Sequence, residues 1–348
     1  MKQHLKRNII NKNLNFIIIF FSIFFTLFLI EVFLRLFSLS ATSSQLQPVN
    51  YKNPIQHFKP DHEFRYANGW NSNINITHRT NNFGYNTFVN FKKNEEVKCI
   101  IGDSYVEALQ VKNEDSFHGI LNKKGIRTYP FGISGNALSD YVVIFKYLVK
   151  NFNCSKYIFL IINNDFEESL KKIVSKHHFD TEKNGELGLV EYKPSFKKKI
   201  LRQSALVNYI YKNLNITNFG VIKERLFNKI KPNPYGNLNY NLSKIAIDYF
   251  FSHLVEYNSE IKNIIFIIDG NRMQIYEKDK DMFKDLSLIF KYFMNKSSIY
   301  NIKYIDLHNI FSLDYEINNK LFNFENNYHW NEYAHTIVSN ELLNSNYF

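Results

Sequence analysis

The sequence is short of the residues that build stapled, metal-holding or nucleotide-holding sites. Only two cysteines occur in 348 residues, which excludes a disulfide framework, and neither Cys99 nor Cys154 has the CxxC partner of a metal or redox centre. Both adjoin apolar runs that read as strands, so they are expected to be core filler. No GxGxxG and no P-loop is present, which removes the usual signatures of dinucleotide and nucleotide binding. The charge balance is basic, 43 Lys and Arg against 32 Asp and Glu for a formal +11. Yet zinc-finger spacing, RNP-like aromatic motifs and Gly-Arg tracts are all missing, and most of the charge is dispersed despite clusters such as Lys197-Lys198-Lys199. No nucleic-acid partner, cofactor or metal is expected, and no internal repeat occurs.

What is present starts with the N-terminus. Residues 1 to 15 carry Lys2, Lys6, Arg7 and Lys12 and no acid, and residues 16 to 30 are apolar apart from Ser22 and Thr26. After Glu31 the apolar pattern resumes as far as Phe37. Some 20 residues span a hydrocarbon core, so residues 16–38 read as a transmembrane signal anchor. The basic flank orients it with residues 1–15 in the cytoplasm and the rest outside, periplasmic or at the cell surface. A cleaved signal peptide would have a shorter apolar region, although Ser40-Ala41 would serve as a cleavage site. Glu31 and Arg35, spaced i, i+4, can pair near the outer boundary.

Residues 39–94 are polar and rich in Asn, and read as a stalk and an extended lead-in. Within them Arg79-Thr80-Asn81-Asn82-Phe83-Gly84-Tyr85 has turn character, with Gly84 available for positive φ. From residue 95 strand and helix patterns alternate regularly, which predicts parallel βαβ units. Strands are expected at Val97 to Ile101, Arg127 to Phe131, Tyr157 to Ile162, Asn263 to Ile268 and Lys303 to Leu307. Helices are expected near Tyr105 to Lys123, Ala137 to Asn151, Leu242 to Asn258, Lys280 to Asn295 and Asn331 to Leu343. Residues 171–240, Lys-rich and ending near Lys231-Pro232-Asn233-Pro234, interrupt the rhythm as an insertion over one sheet edge, able to cover a substrate.

Three short stretches and one serine fall just beyond predicted strands. Gly102-Asp103-Ser104 joins the first strand to a helix start, where a hydroxyl meets unpaired backbone N–H groups. A plain capping role for Asp103 or Ser104 is the alternative. Gly135, in Phe131-Gly132-Ile133-Ser134-Gly135-Asn136, lets backbone N–H groups approach a ligand. Asn164 follows the third strand, with Asp165 as a candidate cap. His329 precedes the last helix, where histidine also serves structural roles. As a set they are expected to form a hydrolytic site. Ser104 would be the nucleophile. His329 would be the base. The N–H groups of Ser104 and Gly135 and the amide of Asn164 would form an oxyanion hole.

These residues carry a resemblance. In order and spacing, Ser104, Gly135, Asn164 and His329 resemble the four signature residues of the SGNH (GDSL) hydrolase superfamily, over roughly Asn81 to the C-terminus. The resemblance implies an α/β fold: a flavodoxin-like three-layer α/β/α domain with a five-stranded parallel sheet of order 2-1-3-4-5, here preceded by one transmembrane helix. Asn82-Phe83-Gly84-Tyr85 looks like the lead-in turn of many bacterial members, and His329-Trp330-Asn331 resembles the HWN segment of membrane-anchored ones that act on exported polysaccharides. The implied activity is a serine esterase or acyltransferase acting on O-acyl, chiefly O-acetyl, groups of an exported glycan through an acyl-serine intermediate. Its partners would be acylated carbohydrate, the membrane and a membrane acyl donor.

One position departs from the family pattern. Members usually place an Asp two or three residues before the histidine, and this chain has Asn327 and Asn326 there. Three readings stay open: Glu325 supplies the charge, a backbone carbonyl orients a Ser–His dyad, or the domain is an inactive module that binds glycan or protein.

Overall fold

The computed structural model describes residues 2–216, 238–277, 283–324 and 327–347. Lys231 to Pro234 and the expected helix start at Lys280 lie outside the described residues. The chain divides into two units, one of Met1–Ser43, Phe64–Asn75 and Ser195–Lys229, the other of Ser44–Glu63, Ile76–Pro194 and Ile230–Phe348.

The larger unit is an α/β domain. Its central sheet consists of β1 (Glu96–Gly102), β2 (Thr128–Gly132), β3 (Asn153–Ile161), β4 (Ile264–Ile268) and β5 (Lys303–Asp306). The spatial order is β2-β1-β3-β4-β5, with every pairing parallel. That is the flavodoxin-like order expected from the sequence. A parallel sheet is covered on both faces, so its strands are continuous apolar runs rather than alternating ones. Ile264-Ile265-Phe266-Ile267-Ile268 is the extreme case, with all five residues buried.

Alternate side chains feed two separate cores. Cys99, Ile101, Phe159, Phe266 and Ile268 face the helices Leu138–Asn151, Tyr240–Val255 and Lys284–Ile299. Ile100, Ile158, Leu160, Ile265 and Ile267 face Phe117–Lys123, Leu307–Asn318 and Glu332–Asn344. The result is three layers. Each fully buried Ile or Phe contributes about 1.5–3 kcal/mol, so two such cores hold the sheet rigidly beneath whatever its carboxyl edge carries.

Two expectations need correction. Cys99 and Cys154 are not free core filler: they form a disulfide between β1 and β3. The strands pair in parallel, with Val97 opposite Cys154 and a register shift between Val97 and Lys98. The two cysteine Cα atoms are 5.7 Å apart, inside the range a disulfide spans. The single helix expected over Tyr105 to Lys123 is instead two. The first, Ser104–Glu107, stops at Ala108, which adopts a left-handed φ of 52°. Carbonyls beyond the break find lead-in side chains: Asn86 Nδ2 donates to Glu107 O at 2.8 Å, and His78 Nε2 contacts Leu109 O at 3.0 Å. Ser116 then caps a fresh helix, Phe117–Lys123, by accepting from Gly119 N.

The lead-in turn is built around Asn81 and Gly84. Asn81 Oδ1 accepts from the N–H groups of Phe83 and Tyr85, both at 3.0 Å. Gly84 has φ of +82°, and a Cβ there would lie 2.1 Å from Phe58 O, so no other residue fits without moving backbone.

The smaller unit begins with the helix Lys2–Leu36, of which Leu14–Leu36 is long and apolar enough to cross a membrane. It also holds the short helices Phe196–Leu201 and Ala205–Asn208.

Candidate active site

The site is assembled at the carboxyl ends of β1, β2 and β3, where open parallel sheets hold ligands. Beyond β1, Asp103 caps the helix Ser104–Glu107 by accepting from Tyr105 N at 3.0 Å. With the cap supplied by its neighbour, Ser104 is released for another partner. Its Oγ lies 2.8 Å from His329 Nε2.

His329 sits in a short strand, Asn327–Trp330, that pairs antiparallel with Asn323–Phe324. The helix Glu332–Asn344 follows, capped by Asn331 rather than by the histidine. Behind the ring, His329 Nδ1 is 2.6 Å from Asn327 Oδ1, which also accepts the His329 backbone N–H at 3.0 Å. That N–H requires an acceptor, so the oxygen of the amide faces the histidine, and Nδ1 carries the proton. Nε2 is then left with its lone pair towards Ser104. Enclosure of the ring, and next the nearby Arg272 charge, lower the His329 pKa to about 4. At neutral pH the imidazole is therefore uncharged, as a general base must be. Glu325 and Asn326 lie outside the described residues.

A group that sequence reasoning did not single out locks the two sides together. Tyr105, next to the serine, donates from its hydroxyl to Tyr328 O, next to the histidine, at 2.9 Å. Arg272 donates to the same carbonyl and to the Tyr105 hydroxyl, each at 2.6 Å. Asp269 completes the lock, accepting from Arg272 at 3.1 Å and from Trp330 Nε1 at 3.1 Å. Asp269 and Arg272 follow β4 at the same sheet edge, and that placement was the signal available in the sequence.

Gly135 lies on the turn beyond β2 with φ of +75°, a conformation that strains any residue with a side chain. Two buried ionisable side chains hold this turn from two sides. Glu107 Oε2 accepts from Ser134 N at 2.9 Å and from the Ser134 hydroxyl. Lys176, buried just before the strand His177–Asp180, donates to Ser134 O at 3.2 Å, to Asn136 Oδ1 at 2.9 Å and to Gln56 Oε1. Asn136 in turn donates to Gly102 O at 3.2 Å, tying the turn to the end of β1. Burial raises the carboxyls of Asp103 and Glu107 to about 7 each. Ser104 Oγ is 3.1 Å from Asp103 Oδ2, and a protonated Asp103 can donate to that oxygen while the serine hydroxyl donates to His329.

Asn164 starts the helix Asp165–Glu168, and its amide donates to Glu168 Oε2 at 3.2 Å. Asp165 does not cap in its place. It is buried, accepts from Ile162 N at 2.8 Å and from the Tyr141 hydroxyl at 2.9 Å, and burial raises its pKa well above the usual carboxylate value. Among the described residues no His, Cys, Asp and Glu grouping suits a metal ion.

A flavodoxin-like sheet with a serine and a neutral histidine in hydrogen-bond contact at its carboxyl edge defines a class: a site able to activate a serine hydroxyl. No protein-family pattern matches the chain, and neither does any curated protein sequence. Among solved structures, the chain is similar to a lipolytic protein of the G-D-S-L family from Veillonella parvula, with 11% identity, coverage of 72% and 97% of the two chains and a TM-score of 0.39. It is similar to an acetyl xylan esterase, AlAXEase, at 11% identity, 71% and 98% coverage and a TM-score of 0.41. It is also similar to the acetylxylan esterase Axe2 from Geobacillus stearothermophilus, a catalytic mutant, at 13% identity, 73% and 94% coverage and a TM-score of 0.39.

Proposed function

We propose that this protein is a serine ester hydrolase or acyltransferase of the SGNH type. It acts on O-acyl, chiefly O-acetyl, groups of an exported glycan. The observation that carries this reading is the 2.8 Å contact between Ser104 Oγ and a neutral His329 whose tautomer Asn327 sets.

His329 Nε2 takes the Ser104 proton as Oγ attacks the acyl carbon. The oxyanion is met by the N–H groups of Ser104 and Gly135 and the Asn164 amide, each donor contributing about 3 kcal/mol. On collapse His329 returns the proton to the departing sugar oxygen and the acyl group stays on Ser104. Water or a second sugar hydroxyl then gives its proton to His329 and attacks the acyl carbon, and His329 returns that proton to Ser104 Oγ as it leaves. Asn327 accepts the ring N–H throughout but brings no charge to stabilise the imidazolium, a feature that favours the second reading, an inactive binding module.

The domain is placed outside the cytoplasmic membrane, held by the helix Leu14–Leu36. Two features support this topology: the acid-free basic stretch before the helix and the Cys99–Cys154 disulfide, a bond suited to an oxidising compartment.

The test treats the full-length protein in detergent with an activated acetyl ester and a serine-reactive fluorophosphonate. Turnover and labelling, both abolished in Ser104→Ala, are expected. Neither signal from folded wild-type protein would establish the binding-module reading instead.

A further inference from the structure

The smaller unit carries a feature that catalysis does not use. Glu31 lies inside the apolar helix, yet its carboxylate is fully engaged. Oε1 accepts from Ala205 N at 2.9 Å, and Oε2 accepts from Leu206 N and the Ser204 hydroxyl, each at 2.8 Å. Arg35 closes the arrangement, pairing with Glu31 at 2.6 Å and donating to Gln203 O at 2.5 Å. A segment some 170 residues distant in sequence is thereby fixed beside the last turns of the apolar helix.

The depth of that segment follows from helix geometry. Glu31 precedes the helix end at Leu36 by five residues, about 7–8 Å along the axis at 1.5 Å per residue. If the helix spans a bilayer, the turn Gln203–Leu206 lies at the level where acyl chains meet headgroups. Around it the surface is apolar and basic together. The helix Phe196–Leu201 has no buried residue: Phe196, Ile200 and Leu201 are exposed, and Lys197, Lys198 and Lys199 run between them. Tyr211 is exposed a few residues on. Trp70, 76% exposed, belongs to the same surface, since its carbonyl accepts from the Tyr209 hydroxyl and Gly69 N donates to Asn213 O at 3.0 Å.

We propose that this surface is a membrane-interface collar. Phe196, Ile200, Leu201 and Trp70 enter the headgroup–acyl boundary of the bilayer that the helix spans, and Lys197 to Lys199 bind the phosphates of anionic lipids. Aromatic and aliphatic side chains beside lysines are what such a boundary selects, and lysines near an anionic surface add attraction that salt screens. The collar explains why an apolar, cationic helix with nothing buried is tolerated on this unit, and it holds that unit close to the bilayer. The inference rests on the membrane-anchor reading.

The chain suits a direct test because it has two tryptophans, and Trp330 is 1% exposed. Full-length protein is reconstituted into phosphatidylcholine vesicles with and without phosphatidylglycerol, some of the lipid carrying a spin label near the headgroup end of its acyl chain. The collar requires that the spin label quench tryptophan emission, that aqueous iodide spare it, and that Trp70→Phe remove the quenched component. Combining Lys197→Gln, Lys198→Gln and Lys199→Gln should cut the quenching about twofold with phosphatidylglycerol present and leave it unchanged without it. Iodide quenching with no spin-label effect, in protein that co-floats with the vesicles, would overturn the collar and point to a surface facing water or protein. Protein that fails to co-float would instead defeat the anchor reading, and the collar with it.

Discussion

The histidine arm of the site and the turn beyond β2 are held by different means. On the histidine arm the group behind the imidazole is the amide of Asn327, neutral and fixed by the backbone N–H it also accepts. On the arm carrying Gly135, the supporting groups are ionisable and buried, Glu107 on one side of the turn and Lys176 on the other. An amide can orient a ring but cannot favour its protonated form. A carboxyl and an ammonium set around a peptide turn can align its N–H dipoles before any substrate arrives, which is where preorganised electrostatics act. On the proposed mechanism, this contrast puts more of the work on the oxyanion turn than on a strong base.

The comparison can be broken at its foundation. Ser104 and Asn164 follow β1 and β3, which Cys99 and Cys154 join across a separation of 55 residues. Replacing both by Ala should lower unfolding free energy by up to about 4 kcal/mol on the chain-entropy account, read as a lower denaturant midpoint, while the folded fraction keeps its kcat. A parallel fall in kcat would mean that the disulfide also sets the alignment of the arms.

Next in size is the charged arm. Lys176→Met should reduce kcat about 100-fold with KM little changed, the signature of support realised in the transition state. Because the change leaves Glu107 and its buried neighbours without their cation, it will also cost stability. Glu107→Gln, which keeps an acceptor for Ser134, provides the milder variant, and an unchanged kcat in both would remove this arm from the mechanism.

The neutral arm should respond in the opposite direction. Asn327→Asp retains the acceptor geometry and adds the missing charge, so kcat should rise at least about tenfold, since the reverse exchange in a serine protease costs about 10⁴. A fall would show that the amide orients His329 better than a carboxylate does at this position.

The smallest effect is in the pH profile. His329 is active when neutral, and its pKa is lowered to about 4. The acid limb of kcat/KM should therefore fall near pH 4, with activity lost as the ring gains a proton below it. In Asn327→Asp the carboxylate favours the imidazolium, raises that pKa and moves the limb to higher pH.

Much of the scaffold was legible because its signals are local. The central strands are largely apolar runs that end in Gly or shortly before Asn or Asp, and the residues expected to act lie just past three strands and before the last helix. What escaped depended on distant partners. The helix break at Ala108 is stabilised by Asn86 and His78 from the lead-in, and no window around Leu109 contains them. The disulfide depends on β1 lying beside β3, a pairing that periodicity does not reveal. Asp269 and Arg272 resemble an ordinary turn after β4 until Tyr105, Tyr328 and Trp330 are seen to converge on them.

By itself, the sequence determined the class of fold, the length of the apolar N-terminal helix and which residue types could reach the sheet's carboxyl edge, because burial and chain connectivity act along the chain. Only the tertiary structure decided that Ser104 meets His329 across 225 residues, that Asn327 is the amide behind the ring, and that Lys176 supports the turn of Gly135. Those contacts turn on ångström-scale distances set by packing two cores against one sheet, and a hydrogen bond that fails by 1 Å is not made.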